Sequence, residues 1–300
     1  MTLPHAHGSF AQLPSDCTLI MGILNVTPDS FSDGGLHTEV AAALAHAKTL
    51  VAQGADIIDV GGESTRPGAT RISPAEEQER VLPVIEALAA EGIVISVDTL
   101  NPETARAAIG AGAHIINDVS GMNLRDEMVQ TVADLGVPYI LMHSRGTSAT
   151  MDSKALYGDV AAEVLEELLG LRQRLLAGGV APEQIILDPG PGFAKQGQQN
   201  WQILGSLKAL AAQGHRVLVA GSRKRFIGQL LREQEALTSG CPLEQVPERP
   251  TSGRDVASAA LSLMAAEAGA WAVRVHNVQA TADALAVRQA WIAGELGRNI

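Results

Sequence analysis

A chain of 300 residues with 46% hydrophobic content can bury a sizeable core, and a single α/β barrel usually takes about 250 residues, so one domain accommodates it. Its 33 acidic against 22 basic residues, a net charge of −11, argue against a protein that binds nucleic-acid backbone regardless of sequence. An anionic ligand would have to meet local cations that override the global sign.

The two cysteines, Cys17 and Cys241, lie far apart, and no secretory apolar core precedes them, so a cytoplasmic protein without a disulfide framework is expected. No apolar run approaches the roughly 20 residues of a membrane span. Residues 1–17 read as a flexible tail whose His5 and His7 receive no function, leaving residues 18–300 as the folded domain. From there, eight Ile/Val-rich runs alternate with helix-like Ala/Leu/Glu segments: Leu19 to Val26, Asp56 to Val60, Ile93 to Val97, His114 to Val119, Tyr139 to Met142, Ile185 to Leu187, Arg216 to Ala220 and Ala272 to Val278. Near-continuous apolar strands separated by helices predict a parallel sheet buried on both faces, and eight such units close most naturally into an α/β fold of the (β/α)8 TIM-barrel type. Helix-start signals stand at Ser73-Pro74-Ala75-Glu76 and Asn101-Pro102, and Gly112 follows the second helix. An amphipathic helix is predicted over 159–176. The irregular segment Gln234 to Gly253 reads as an excursion within the seventh βα unit.

In such a barrel the site is built at the C-terminal ends of the strands. The first strand breaks at Asn25 into a loop of turn formers that ends at Gly34-Gly35, and the second leads into Asp59-Val60-Gly61-Gly62-Glu63-Ser64-Thr65-Arg66-Pro67-Gly68. The others end in Asp98, Asn117, His143, Asp188, Ser222-Arg223-Lys224-Arg225 and, on the eighth, Arg274 and His276. Residues two apart share a strand face, so Arg274 with His276, and Ser96 with Asp98, can point into the barrel mouth. Arg66, Arg223, Lys224, Arg225, Arg274 and His276 suit a phosphate or diphosphate. Asp98, Asn117 and Asp188 suit a small polar heterocycle. Asp118, on the opposite face from Asn117, reads as structural.

Residues 223–225 alone would also fit a solvated basic turn or a nucleic-acid patch, but three Trp, two Tyr and four Phe leave little surface for base stacking. His143 has no second His or Cys at zinc-ligand spacing. A hard cation such as Mg²⁺, held by Asn25 and substrate oxygens, fits better. Neither G-x-G-x-x-G nor G-x-x-x-x-G-K-[ST] occurs around the glycines of the first and sixth loops, so neither a dinucleotide fold nor a P-loop is indicated.

With these residues in place, the chain resembles the bacterial dihydropteroate synthase family, pterin-binding (β/α)8 enzymes of folate synthesis. The resemblance runs from about Leu19 to the C-terminal helix. It is carried by GILNVTPDSFSDGG at 22–35, DVGGESTRPGA at 59–69, SVDT at 96–99, NDVSG at 117–121, LMH at 141–143, DPG at 188–190, GSRKRFIG at 221–228 and RVHNV at 274–278. It implies that Asp98, Asn117, Asp188 and Lys224 bind the pterin, with Met142 and Phe193 packing near it. It implies further that Asn25, Arg66, Arg274 and His276 hold a diphosphate, Asn25 through Mg²⁺, and that Thr65, Arg66, Pro67, Phe193 and Ser222 meet p-aminobenzoate, which sulfonamides mimic in this family. Catalytic roles then fall to Asp98, Arg66, Lys224, Arg274 and His276. The implied reaction is a transferase step joining 6-hydroxymethyl-7,8-dihydropterin diphosphate to p-aminobenzoate, by an S_N1-like path in a homodimer. The chain departs from the family pattern at Asn277, where Asp is usual, and at Pro191, Ala194, Gln196 and Ser144-Arg145. A non-catalytic pterin-binding paralogue and a pterin-dependent methyltransferase are the competing readings, the latter without need of the two cationic loops.

Overall fold

The computed structural model describes residues 9–27, 36–63, 71–295 and 297. Eight parallel strands close into a barrel in sequence order: β1 (Leu19–Asn25), β2 (Ile57–Gly61), β3 (Ile95–Asp98), β4 (Ile115–Asp118), β5 (Tyr139–Met142), β6 (Ile185–Asp188), β7 (Arg216–Val219) and β8 (Ala272–Val275). Around it run α1 (Leu36–Ala52), α2 (Pro74–Ala90), α3 (Pro102–Gly110), α4 (Asp126–Leu135), α5 (Val160–Ala177), α6 (Gln198–Gly205), α7 (Leu207–Ala211), α8 (Arg225–Ser239), α9 (Asp255–Glu267) and α10 (Val278–Glu295). The predicted (β/α)8 barrel is therefore the fold.

Strand alternation divides the core in two. Leu19, Met21, Ile57, Val94, Ile115, Ile140, Ile186, Leu218 and Ala272 form a cluster inside the barrel, whereas neighbours such as Ile20, Ile58, Ile116, Leu141 and Val273 pack with helix residues in the outer layer. Counting two residues along each strand from the inner cluster reaches Asp59, Ser96, Asn117, Met142, Asp188 and Arg274; four from Val94 reaches Asp98. The period that fills the lower barrel with aliphatic groups thus delivers polar ones to its mouth. Register completes the alignment, pairing Asp98 with both Gly61 and Asn117, and Met142 with Asp188.

Some local expectations shift. Residues 9–17 are not a loose tail: Phe10–Gln12 form a 3₁₀ turn, and Phe10, Leu13 and Cys17 pack with Trp271 on the inner cluster. Arg216 lies over the Phe10 ring at 5.0 Å, a cation–π contact that ties the segment to β7. The eighth strand is shorter than its apolar run because Asn277 Oδ1 accepts from Ala280 N at 3.0 Å and starts α10. Ser73 caps α2 as its sequence indicates. Asn101 precedes Pro102 at the start of α3 without capping it, since its Nδ2 donates instead to buried Glu77 (2.9 Å). The seventh unit's excursion begins later than Gln234, because α8 continues to Ser239 and ends on Gly240 at φ +69°.

Candidate active site

The inner end of the mouth is a charged network. Arg274, partly buried, donates Nε to Asp59 Oδ2 (2.6 Å) and Nη2 to Asp98 Oδ2 (2.8 Å), and Asn117 Nδ2 also donates to Asp59 Oδ2 (3.2 Å). Burial works against the Arg274 charge, but the two carboxylates outweigh it and hold the guanidinium above its ordinary value. Burial, with the negative charges of Asp59, Glu77 and Asp118, pushes Asp98 up to about 7 against the pull of Arg274. Burial likewise lowers Lys224 to about 7 and raises Asp188, whose Oδ1 accepts from Gly190 N at 2.7 Å. Asp98, Asn117, Asp188, Met142 and Lys224 therefore meet at one end of the barrel, as the strand-end reading expects.

Outward of this network lies a cavity of about 1270 Å³ whose walls include Asn25, Phe193, Ser222, Arg274 and His276. Ser222 Oγ accepts from His276 N (3.2 Å) and lies 3.1 Å from His276 Nδ1, so the ends of β7 and β8 are joined at the wall. Lys224 Nζ sits 4.3 Å from the centre of the Phe193 ring and donates to Pro191 O (2.5 Å). Thr65, Arg66 and Pro67 lie outside the described residues, as do Phe31 and Asp33 of the first loop.

The cationic group divides differently from its sequence grouping. Arg223 and Arg225 both line the cavity, but Arg223 is engaged by Asp255, with Nε to Oδ1 at 2.6 Å and Nη2 to Oδ2 at 2.8 Å, and Arg225 is largely exposed, with Asp152 at 3.4 Å. Arg274 and His276 remain at the inner wall. Asp118 is structural, accepting from Tyr139 OH (2.7 Å) and Ser120 N (2.7 Å).

Lys195 escaped the sequence reading. Its Nζ is buried and donates to His143 Nδ1 (2.8 Å), Gly190 O (3.0 Å) and Phe193 O (2.9 Å), while His143 Nε2 lies 2.8 Å from Glu167 Oε2. Neutral His143 with its proton on Nε2 satisfies both neighbours, in keeping with burial and Lys195 lowering it to about 4. Thus His143 is a buried link, not a ligand, and the only lysine of the DPGPGFAKQ loop was the available signal. The loop needs glycine at two points: a Cβ at Gly190 (φ +62°) would stand 2.0 Å from His143 O, and one at Gly192 (φ +82°) 2.7 Å from Lys224 Cδ. Lys195→Met is expected to take the donor from His143 Nδ1 and Phe193 O, while Gly190 O keeps its bond from Phe193 N, and to destabilise the fold by about 2–4 kcal/mol, read from the urea midpoint. An unchanged midpoint would show that the loop does not depend on this amine.

A parallel barrel with buried acids and cations converging at its mouth defines an α/β-barrel enzyme acting on a small polar, anionic substrate. Residues 21–276 match the family of pterin binding enzymes. The dihydropteroate synthase of Mycobacterium leprae is 47% identical over 274 residues, 91% of this chain and 93% of that protein. A Xanthomonas albilineans dihydropteroate synthase solved with 4-aminobenzoic acid superposes at TM-score 0.81 with 44% identity, covering 93% of this chain and 94% of that one. The same organism's enzyme in complex with 7,8-dihydropteroate gives 0.77 with 42% identity, covering 94% and 96%. The chain belongs to the pterin-binding enzyme family, among its dihydropteroate synthases, which are transferases.

Proposed function

We propose that this chain joins 6-hydroxymethyl-7,8-dihydropterin diphosphate to p-aminobenzoate, giving 7,8-dihydropteroate and diphosphate. The observation that carries this reading is Arg274, which bridges Asp59 and Asp98 at the ring end and also lines the cavity shared by His276, Ser222 and Asn25. One side chain joins a heterocycle site to an anion site.

In the proposed reaction the bond between the pterin methylene carbon and the diphosphate oxygen breaks, its electron pair leaving with the diphosphate. The amine lone pair of p-aminobenzoate then forms the C–N bond, and the nitrogen loses a proton to water. The aromatic amine is neutral at pH 7, so no Ser/His/Asp relay is required. Asp98, Asn117 and Asp188 orient the ring, and ionised Asp98 favours positive charge developing at the methylene, which suits an S_N1-like path. Arg274 and His276, with Arg66, stabilise the departing anion, and Ser222 and Phe193, with Thr65 and Pro67, receive the amine substrate. Lys224 spans ring and loop.

Magnesium fits at Asn25, which offers a hard amide oxygen at the end of β1, 3.9 Å from where a Cβ at Gly61 would stand and beside Arg274 and His276 in the cavity wall. Among the described residues no three His, Cys, Asp or Glu gather as a metal nest, so substrate oxygens would complete the shell. When bound, the ion supplies further charge stabilisation to the leaving diphosphate.

Free Cys17 and Cys241 accord with a reducing cytoplasm, and no helix among the described residues is long and apolar enough to cross a membrane. A homodimer is supported by exposed Val256 and Met264 on α9 and Val287 and Trp291 on α10, two helices packed side by side. Asn277, the basis of the non-catalytic alternative, hydrogen-bonds Asp255 and starts α10, leaving the ring-site residues untouched.

The test supplies pterin diphosphate, p-aminobenzoate and Mg²⁺ to the purified protein and measures released diphosphate. One diphosphate per dihydropteroate, with release blocked competitively by a sulfonamide, is expected. Pterin binding without release would make the chain a binder.

A further inference from the structure

We propose that Asp255, at the start of α9, is a positioning residue for the p-aminobenzoate end of the site, acting through Arg223 and Asn277. The inference rests on the dihydropteroate synthase reading and deepens it.

Arg223 adopts φ +60°, a left-handed conformation that strains a non-glycine residue and persists only where its surroundings enforce it. Here one helix start enforces it from three directions. Arg223 N donates to Ser258 Oγ (3.0 Å), Arg223 O accepts from Arg254 Nη1 (3.0 Å), and the guanidinium forks onto both oxygens of Asp255. The strained residue stands between Ser222, whose hydroxyl meets His276, and Lys224, which packs on Phe193. Rotation at Arg223 would therefore move both neighbours.

Asp255 has a second hold. Its Oδ2 accepts from Asn277 Nδ2 at 3.0 Å, directly after His276, so a single carboxylate ties the loop after β7 to the loop after β8. Hydrogen bonding from Arg223 keeps the Asp255 carboxyl below its ordinary range, against the opposing effect of burial, and it is ionised at neutral pH. Asparagine at 277 is the side chain this contact needs, because an amide donates to the carboxylate while its oxygen starts α10. An ionised aspartate would place like charges at hydrogen-bond distance.

The opposite role for Arg223 is a direct cation for substrate, since it also lines the cavity. Asp255 would then compete with substrate, and its removal would tighten binding. The two roles have opposite signs, so kinetics of Asp255→Asn, Asn277→Asp and the double exchange separate them. Each single variant is expected to raise the KM for p-aminobenzoate about tenfold, the equivalent of one charge-assisted hydrogen bond. Pterin affinity, titrated without turnover, should fall by clearly less than the KM for p-aminobenzoate rises, because Asp98, Asn117 and Asp188 hold the ring from other strands and only Lys224 would shift with the loop. The double exchange restores one amide facing one carboxylate and should recover at least about threefold of the loss. If Asp255→Asn fails to fold, Asn277→Asp alone carries the test by the same KM split.

An unchanged or lowered KM for p-aminobenzoate in the single variants, or a double exchange no better than the worse single, overturns the proposal. Absence of diphosphate release by the unmodified protein would instead refute the reaction itself.

Discussion

Arg274→Ala is expected to lower folding stability by about 3–5 kcal/mol, the scale of breaking a buried ion pair from one side. The reason is the pair of carboxylates it leaves behind: Asp59 and Asp98 are both buried, and Arg274 is the cation that reaches both within 2.8 Å. Without it, burial and mutual repulsion would drive Asp98 still further upward and leave it protonated at pH 7. Affinity for pterin diphosphate should fall with stability, because the same guanidinium faces the anion cavity. Arg274→Lys keeps one charge but not the fork that meets two carboxylates, and should fold better than the alanine variant while still binding weakly. Urea midpoints and calorimetric titration check both variants. An alanine variant with an unchanged midpoint would show that the acids are accommodated without this cation.

Asp98→Asn is expected to reduce turnover about 100-fold with little change in pterin affinity, the pattern of a charge that matters chiefly in the transition state. The unmodified enzyme should show a bell-shaped pH dependence of kcat/KM centred near 7. Asp98 must lose its proton and Lys224 keep its own, and burial brings both groups to about 7. Asp98→Asn should remove the acid limb, and Lys224→Arg should move the alkaline limb beyond the measurable range. Stability carries a matching sign. Between the ordinary Asp value of 3.8 and about 7 the folded protein holds a proton that the unfolded chain releases, so this group withdraws stability as pH rises through that window. Between about 7 and the ordinary Lys value of 10.5 the unfolded chain holds the extra proton on Lys224, so stability returns with rising pH. Ligand-free melts from pH 5 to 10 should therefore differ between the unmodified protein and the two variants in opposite directions on either side of neutrality.

Much of this site was legible because a barrel turns sequence period into direction. Arg274 stands two residues after an inner-face alanine, and Asp98 four after an inner-face valine, so alternation alone sent both into the mouth. Asn117 and Asp188 followed the same rule. What alternation could not supply was partnership across the sheet. Asp59 was visible at a strand end, but its place between Arg274 and Asn117 depends on chain closure that brings residues 59 and 274 together. Arg223 and Arg225 read as site cations and both line the cavity, but charge in a loop has no period, so only the fold shows Asp255 pairing with the one and Asp152 with the other. Lys195 was obscured for a further reason: a lysine in a glycine-rich loop reads as exposed, and its burial follows from carbonyls that converge only once Gly190 takes its left-handed turn.

In the proposed reaction the diphosphate departs before the amine attacks, an order that pterin diphosphate carrying ¹⁸O in the bridge between the methylene carbon and the first phosphorus puts to the test. Incubated with enzyme and Mg²⁺ but no p-aminobenzoate, the recovered substrate should show the label moving into non-bridging positions, because reversible C–O cleavage makes the oxygens on that phosphorus equivalent. A label that stays in the bridge, with diphosphate released only when the amine is present, would contradict that order and favour direct displacement.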